Sequence, residues 1–108
     1  MPQRYVRHKF NAKPTEFDGV RYDSKLEARY AQTLKANQES GSLLFFLRQT
    51  PVHLPGKTKY VCDFVEFWAN GEVIFTDVKG VQTETFKLKK RQVEELYPIN
   101  IQIVSKVY

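Results

Sequence analysis

Hydrophobic and polar positions along the chain change period several times, and each change marks an element. From residue 24 to about residue 39, Leu26, Tyr30, Leu34 and Asn37 follow one face at helical spacing, with Ala28 and Ala31 as good helix formers beside them. Ser24 followed by Glu27 matches a capping box at the start, and Gly41 is a stop just beyond the end. Before this helix, Thr15-Glu16-Phe17 and Val20-Arg21-Tyr22 flank Asp18-Gly19, a strong hairpin signal. After it, residues 43–54 are apolar and β-prone, with Pro51 expected to limit pairing near the end of the run. A basic turn, Gly56-Lys57-Thr58-Lys59, leads into strands at residues 60–68 and 72–79, joined through Ala69-Asn70-Gly71. A second helix is predicted over residues 85–97, with Phe86, Val93, Leu96 and Tyr97 inward and Lys87, Lys90, Arg91 and Glu94 more outward. Pro98 ends it, and residues 99–104 form a last strand.

Three charges interrupt two of these strands. Asp63 lies in Tyr60-Val61-Cys62-Asp63-Phe64-Val65, and Asp77 and Lys79 lie in Ile74-Phe75-Thr76-Asp77-Val78-Lys79-Gly80. Charges in half-buried strands are costly unless they are paired or bind a metal. Side chains alternate across a strand, so Asp77 and Lys79 share a face. The position of Asp63 depends on the register of the hairpin. A two-residue Asn70-Gly71 turn pairs Asp63 with Val78 and puts it on the face opposite Asp77. A three-residue loop with Gly71 in the left-handed position forms a bulge and pairs Asp63 with Asp77, Val65 with Phe75 and Phe67 with Val73. Facing carboxylates repel, and a divalent cation reverses that penalty. Oxygen-only ligation with room for water and phosphate suits Mg²⁺ or Mn²⁺. Lys79 can then reach a water or a phosphate oxygen. A plain Asp77–Lys79 ion pair is the simpler alternative, but it leaves Asp63 unexplained.

Composition adds a substrate class. The chain has 108 residues, enough for one domain that buries roughly two thirds of its unfolded surface. It is 42% apolar and 14% aromatic, as expected of a packed globule. A net charge of +5 favours an anionic partner such as nucleic acid. Residues 1–14 carry Arg4, Arg7, His8, Lys9 and Lys13 with no acid, which reads as a basic arm. The lone Cys62 excludes an internal disulfide and fits a reducing cytoplasm. With no long apolar run and no leader-like segment, a soluble, unexported protein is expected.

Together these residues resemble the PD-(D/E)XK nuclease superfamily. Asp63 stands as the first acid and Asp77-Val78-Lys79 as the D-x-K element, while Cys62 occupies the position of the motif's proline, which carries no ligand. The expected fold class is α/β, an αβββαβ core with a four-stranded mixed sheet flanked by helices and preceded by a small hairpin. Residues 17–28, with Asp77-Val78-Lys79-Gly80, resemble a phage- and prophage-encoded group of small nucleases similar to Holliday-junction resolvases. The likeness spans about residues 15–104.

It implies metal-dependent hydrolysis of DNA phosphodiester bonds in a bacterial host's cytoplasm. Asp63 and Asp77 would ligate Mg²⁺ or Mn²⁺ with the Val78 carbonyl, Glu27 would bind a second metal or a metal-bound water, and Lys79 would orient the attacking water or stabilise the phosphate. Glu27 competes for a second role, since a Glu at the third helical position closes a capping box, and the two roles are expected in different states. Arg4, Arg7, Lys9, Lys87, Lys89, Lys90 and Arg91 would hold backbone phosphates without reading sequence; Gln92 is a further polar candidate. Branched DNA is the substrate the resemblance suggests, and cutting both strands would need a homodimer. The rival from another class is a non-catalytic DNA-binding or assembly protein on the same fold.

Other residues carry less. His8, His53 and Cys62 lack zinc-ligand spacing. Cys62, Tyr60 and Trp68 are expected together on the face opposite Asp63, packed in the core. No Gly-rich phosphate loop is present, so no nucleotide cofactor is expected.

Overall fold

The computed structural model describes residues 14–107. The basic arm, with Arg4, Arg7 and Lys9, therefore lies outside the described residues except for Pro14. The elements in chain order are β1 (Thr15–Phe17), β2 (Val20–Tyr22), α1 (Lys25–Glu39), β3 (Leu43–Leu54), β4 (Thr58–Trp68), β5 (Val73–Val78), α2 (Glu84–Leu96) and β6 (Ile101–Val104). The α/β class, the small hairpin and the αβββαβ order all match the expectation.

β3, β4, β5 and β6 form one sheet in that spatial order, antiparallel except for the parallel β5–β6 pair. The β4–β5 register pairs Val65 with Phe75 and Phe67 with Val73. This is the register of the three-residue connection: the Gly71 N–H donates to the Trp68 carbonyl, and Gly71 has φ +95°. The β1–β2 hairpin forms its own two-stranded sheet through Asp18-Gly19, both at positive φ, as a type I′ turn requires.

Helices cover both faces. Ala28, Tyr30, Ala31 and Leu34 of α1 bury against Tyr22, Leu43, Phe64 and Val78. Phe86 and Val93 of α2 bury against Val52, Leu54, Tyr60, Cys62, Val65 and Ile101. Ala28 and Ala31 are thus core contacts, where a small side chain lets the helix approach the sheet. Leu96 is exposed rather than inward, and Tyr97 is displaced to the helix end, where its hydroxyl donates to the His53 carbonyl at 2.7 Å. Pro51 does not curtail β3, whose pairing runs on to Leu54 opposite Thr58. β3 is an edge strand, and a missing N–H is tolerated there.

Ser24 caps α1 as its sequence implies, with Oγ accepting from the Glu27 N–H at 3.1 Å. Ser24→Ala is expected to lower stability by about 1 kcal/mol with the fold unchanged, measured by urea denaturation.

Candidate active site

The site forms where β3 and β4 turn over together. Register is constant across the interruption, with Arg48 opposite Phe64 and Thr50 opposite Cys62, but the intervening rung of Gln49 and Asp63 is unpaired. On one side of it, Phe46 and Phe64 face α1; on the other, Val52, Tyr60 and Cys62 face α2. Even-numbered positions therefore change face at this rung. Gln49 has φ +49°, a left-handed conformation costing a non-glycine residue about 1 kcal/mol or more. Simple alternation failed for this reason: Trp68 packs on the α1 side, while Tyr60 and Cys62 lie on the α2 side.

Asp63 sits at the turnover, half-buried. The β4–β5 ladder ends at Phe64 opposite Thr76, one rung short of the expected Asp63–Asp77 pair. Asp63 instead takes the next amide with its side chain: Oδ2 accepts the Val78 N–H at 2.9 Å. Val78 thus meets Asp63 through its amide, and its side chain packs in the α1 core. The other oxygen, Oδ1, accepts from Gln49 Nε2 at 3.2 Å.

The same Gln49 nitrogen donates to Glu27 Oε2 at 3.3 Å. Glu27 is 4% exposed, held at the start of α1. Its two oxygens divide the roles expected in separate states: Oε1 accepts the Asp23 N–H at 3.3 Å, closing the helix start, while Oε2 faces Asp63's partner Gln49 and the Arg48 guanidinium at 3.6 Å. Arg48 lies over the Tyr22 ring, 4.2 Å from its centroid.

Asp77 faces the α2 side and is 1% exposed. Its Oδ2 accepts a hydrogen bond from the buried Tyr60 hydroxyl. Its Oδ1 is buried without a hydrogen-bond partner, and Lys79 Nζ stands 3.7 Å away. Lys79 rests over the Phe86 ring at 4.9 Å, so α2 supports the lysine through an aromatic face. The Lys79 charge also favours the ionised forms of both Asp63 and Asp77.

These environments hold protons on the acids. Burial, then the Asp63 and Asp23 charges, push Glu27 up to about 7 against the pull of Arg48. Burial raises Asp77 to about 6 despite Lys79. Burial raises Asp63 too, opposed by the Val78 N–H and Lys79. In metal-free solution the folded chain therefore binds more protons than the unfolded chain, from the ordinary carboxylate range up to about pH 7. The resulting stability is full below the unfolded pKa and is lost as pH rises through the folded values. Thermal denaturation in EDTA should show a higher melting temperature at pH 5 than at pH 8. Glu27→Gln should flatten that slope, stabilising the chain at pH 8 by about 2 kcal/mol.

The basic residues of α2 are less free than a phosphate-binding face requires. Lys87 pairs with Glu84 at 3.3 Å, Lys90 pairs with Glu94 at 3.1 Å, and Lys89 donates to the Lys59 carbonyl at 3.1 Å. Arg91 is exposed and Gln92 half-buried. Burial pushes the Cys62 thiol up to about 12, which makes it an inert core residue. Sequence reasoning missed Gln49 and Arg48 and assigned Tyr60 to packing alone. A signal was present for the first two: Arg48-Gln49-Thr50 is a polar break in an apolar strand.

Among the described residues, no three His, Cys, Asp or Glu side chains gather to hold a metal ion. Mg²⁺ needs fewer, since it keeps several waters and binds through one or two carboxylates plus substrate phosphate. Asp77 Oδ1, which accepts no hydrogen bond among the described residues and faces Lys79 at 3.7 Å, and the Glu27 and Asp63 carboxylates joined through Gln49 are oxygen donors of the kind such an ion takes. Among the described residues no helix is long and apolar enough to cross a membrane. A family model described as "Protein of unknown function (DUF1064)" matches residues 7–107. No curated protein matches the chain.

Proposed function

The chain belongs to the DUF1064 family, and we propose that it is a metal-dependent endonuclease hydrolysing DNA phosphodiester bonds, of PD-(D/E)XK type. The observation that carries this reading is the buried Asp77 Oδ1, lacking a hydrogen bond and facing Lys79 across 3.7 Å, on the strand whose Val78 amide is held by Asp63. A buried carboxylate oxygen that accepts no hydrogen bond and has one long ion pair is under-satisfied and has room for a further ligand.

Asp77 and Asp63 would hold Mg²⁺ or Mn²⁺, with Glu27 as the third acid. When bound, the cation supplies Lewis-acid polarisation of the phosphate and a water of lowered pKa. The chain's own groups do the rest. Lys79 places a positive charge where the phosphate becomes more anionic. Phe86 beneath the ammonium and Asp77 beside it fix its direction. Glu27, joined to Asp63 through Gln49, would bind a second ion or a metal-bound water, and Lys79 would orient the attacking water. Tyr60, donating to Asp77, keeps that carboxylate turned so that Oδ1 stays open. The net charge of +5 attracts the DNA backbone without reading bases, which favours structure-selective or weakly sequence-specific cutting; branched DNA is the substrate that the resemblance to Holliday-junction resolvases suggests. The phage-type setting, a reducing host cytoplasm and a dimer with two sites belong to the same proposal.

Supercoiled, linear and four-way-junction DNA incubated with the protein and Mg²⁺, Mn²⁺ or EDTA tests it. Cutting with either metal and none in EDTA is expected. Retention of DNA without cutting under every metal would overturn the enzyme in favour of a DNA-binding or assembly protein.

A further inference from the structure

We infer that Gln49 is a positioning residue, whose side-chain amide ties Glu27 to Asp63 so that the helix carboxylate and the strand carboxylate act as one cation-binding pair. This rests on the metal-site reading above.

Glu27 and Asp63 come from different elements, α1 and β4, and their like charges repel. Packing of Tyr30 and Ala28 on Phe64 brings α1 close to β4, but it does not touch the carboxyl groups themselves. What spans them is a single nitrogen: Gln49 Nε2 lies 3.3 Å from Glu27 Oε2 and 3.2 Å from Asp63 Oδ1. An amide NH₂ has two hydrogens, one for each acceptor, and carries no charge of its own. A lysine here would neutralise the pair and compete with a cation, whereas an amide brings the carboxylates together and leaves their negative charge available.

The backbone points the same way. Gln49 holds a left-handed conformation in mid-strand, at φ +49°, where glycine or asparagine is the favoured residue. The rung it shares with Asp63 is unpaired, although pairing resumes on both sides. A residue chosen only to make the turnover would be glycine. Glutamine is unfavourable there unless its side chain is needed, and among the described residues the side chain bonds to the two acids. Arg48, the adjacent cation, pairs with Glu27 at 3.6 Å and lies over the Tyr22 ring, so it serves the Glu27 side of the pair.

Two substitutions separate the side chain from the backbone. Gln49→Asn keeps an amide and tolerates the left-handed backbone, but is one methylene short of spanning both acids. Gln49→Gly relaxes the backbone and removes the amide. Mn²⁺ affinity is measured by titration calorimetry for each, with Glu27 present and with Glu27→Gln. With Glu27 present, both substitutions should weaken Mn²⁺ binding about tenfold. With Glu27→Gln, the further loss should be under about twofold, because the pair is already broken. Equal losses in both backgrounds, or native affinity in Gln49→Gly, would overturn the inference. A native chain that cuts DNA, alongside Gln49→Asn with unchanged Mn²⁺ affinity, would sink the inference alone. A native chain that binds no Mn²⁺ would sink both the inference and the metal site.

Discussion

Asp77→Asn is expected to lower metal-dependent DNA cleavage by about a thousandfold or more, with the fold retained and the metal-free melting temperature at pH 8 no lower than that of the native chain. The magnitude follows from what the substitution removes. The asparagine carbonyl can still accept from Tyr60, so the buried hydroxyl keeps its partner. The negative charge beside Lys79 is lost, and with it the oxygen that faces the site. Loss of an anionic ligand to a catalytic divalent ion withdraws several kcal/mol of transition-state stabilisation, and about 4 kcal/mol is a thousandfold in rate. Lys79→Met should lower cleavage about a hundredfold, since it leaves the acids in place and removes a single stabilising charge. The aliphatic Met can still lie on Phe86, so packing should be retained. Initial rates on supercoiled DNA measure both, with circular dichroism as the check on folding. Asp77→Asn cutting within tenfold of the native rate would remove this carboxylate from the mechanism.

Much of this was legible in the chain because local signals agreed with one another. Ser24 and Glu27 marked the helix start, Asp18-Gly19 marked the hairpin, and of the two β4–β5 registers that Ala69-Asn70-Gly71 left open, the three-residue one that pairs Val65 with Phe75 and Phe67 with Val73 is the one formed. What escaped was the consequence of one left-handed residue. Period-two alternation assumes continuous β backbone, and nothing in the residue type glutamine announces φ +49°. Once β3 and β4 turn over there, Tyr60 moves to the face of Asp77, and Asp63 bonds the Val78 amide with its side chain instead of closing a rung. The acids were therefore found from sequence, but their partners were not. Glu27 shows the same limit: sequence offered cap or ligand as alternatives, while two carboxylate oxygens allow one side chain to face both the helix end and the site.

Glu66→Ala is expected to destabilise the chain by about 4 kcal/mol, among the largest effects of any single substitution in it. Glu66 is 0% exposed, near the end of β4. Its Oε2 accepts from the Tyr30 hydroxyl at 2.6 Å and its Oε1 from Trp68 Nε1 at 3.0 Å. The network extends through Gln102, which donates to Thr76 at 3.1 Å and lies 3.5 Å from the Tyr30 hydroxyl. It thereby links α1, β4, β5 and β6 through polar contacts in an otherwise apolar layer. Alanine would strand two buried donors, at about 1–3 kcal/mol each, and leave a cavity. Glu66→Gln keeps the volume and one acceptor oxygen, so a smaller loss of about 1–2 kcal/mol is expected. For a domain of this size the alanine variant should melt roughly 15–25 °C lower. The effect should reach the site as well. Tyr30 lies one helical turn from Glu27 on α1, so a helix released from Glu66 no longer holds the Glu27 carboxylate against Gln49. Mn²⁺ should then raise the melting temperature less in Glu66→Gln than in the native chain, although the Glu66 carboxylate bonds to Tyr30 and Trp68 rather than to any of the site acids. An unchanged Mn²⁺ shift would mean that α1 is held in place by its apolar face alone.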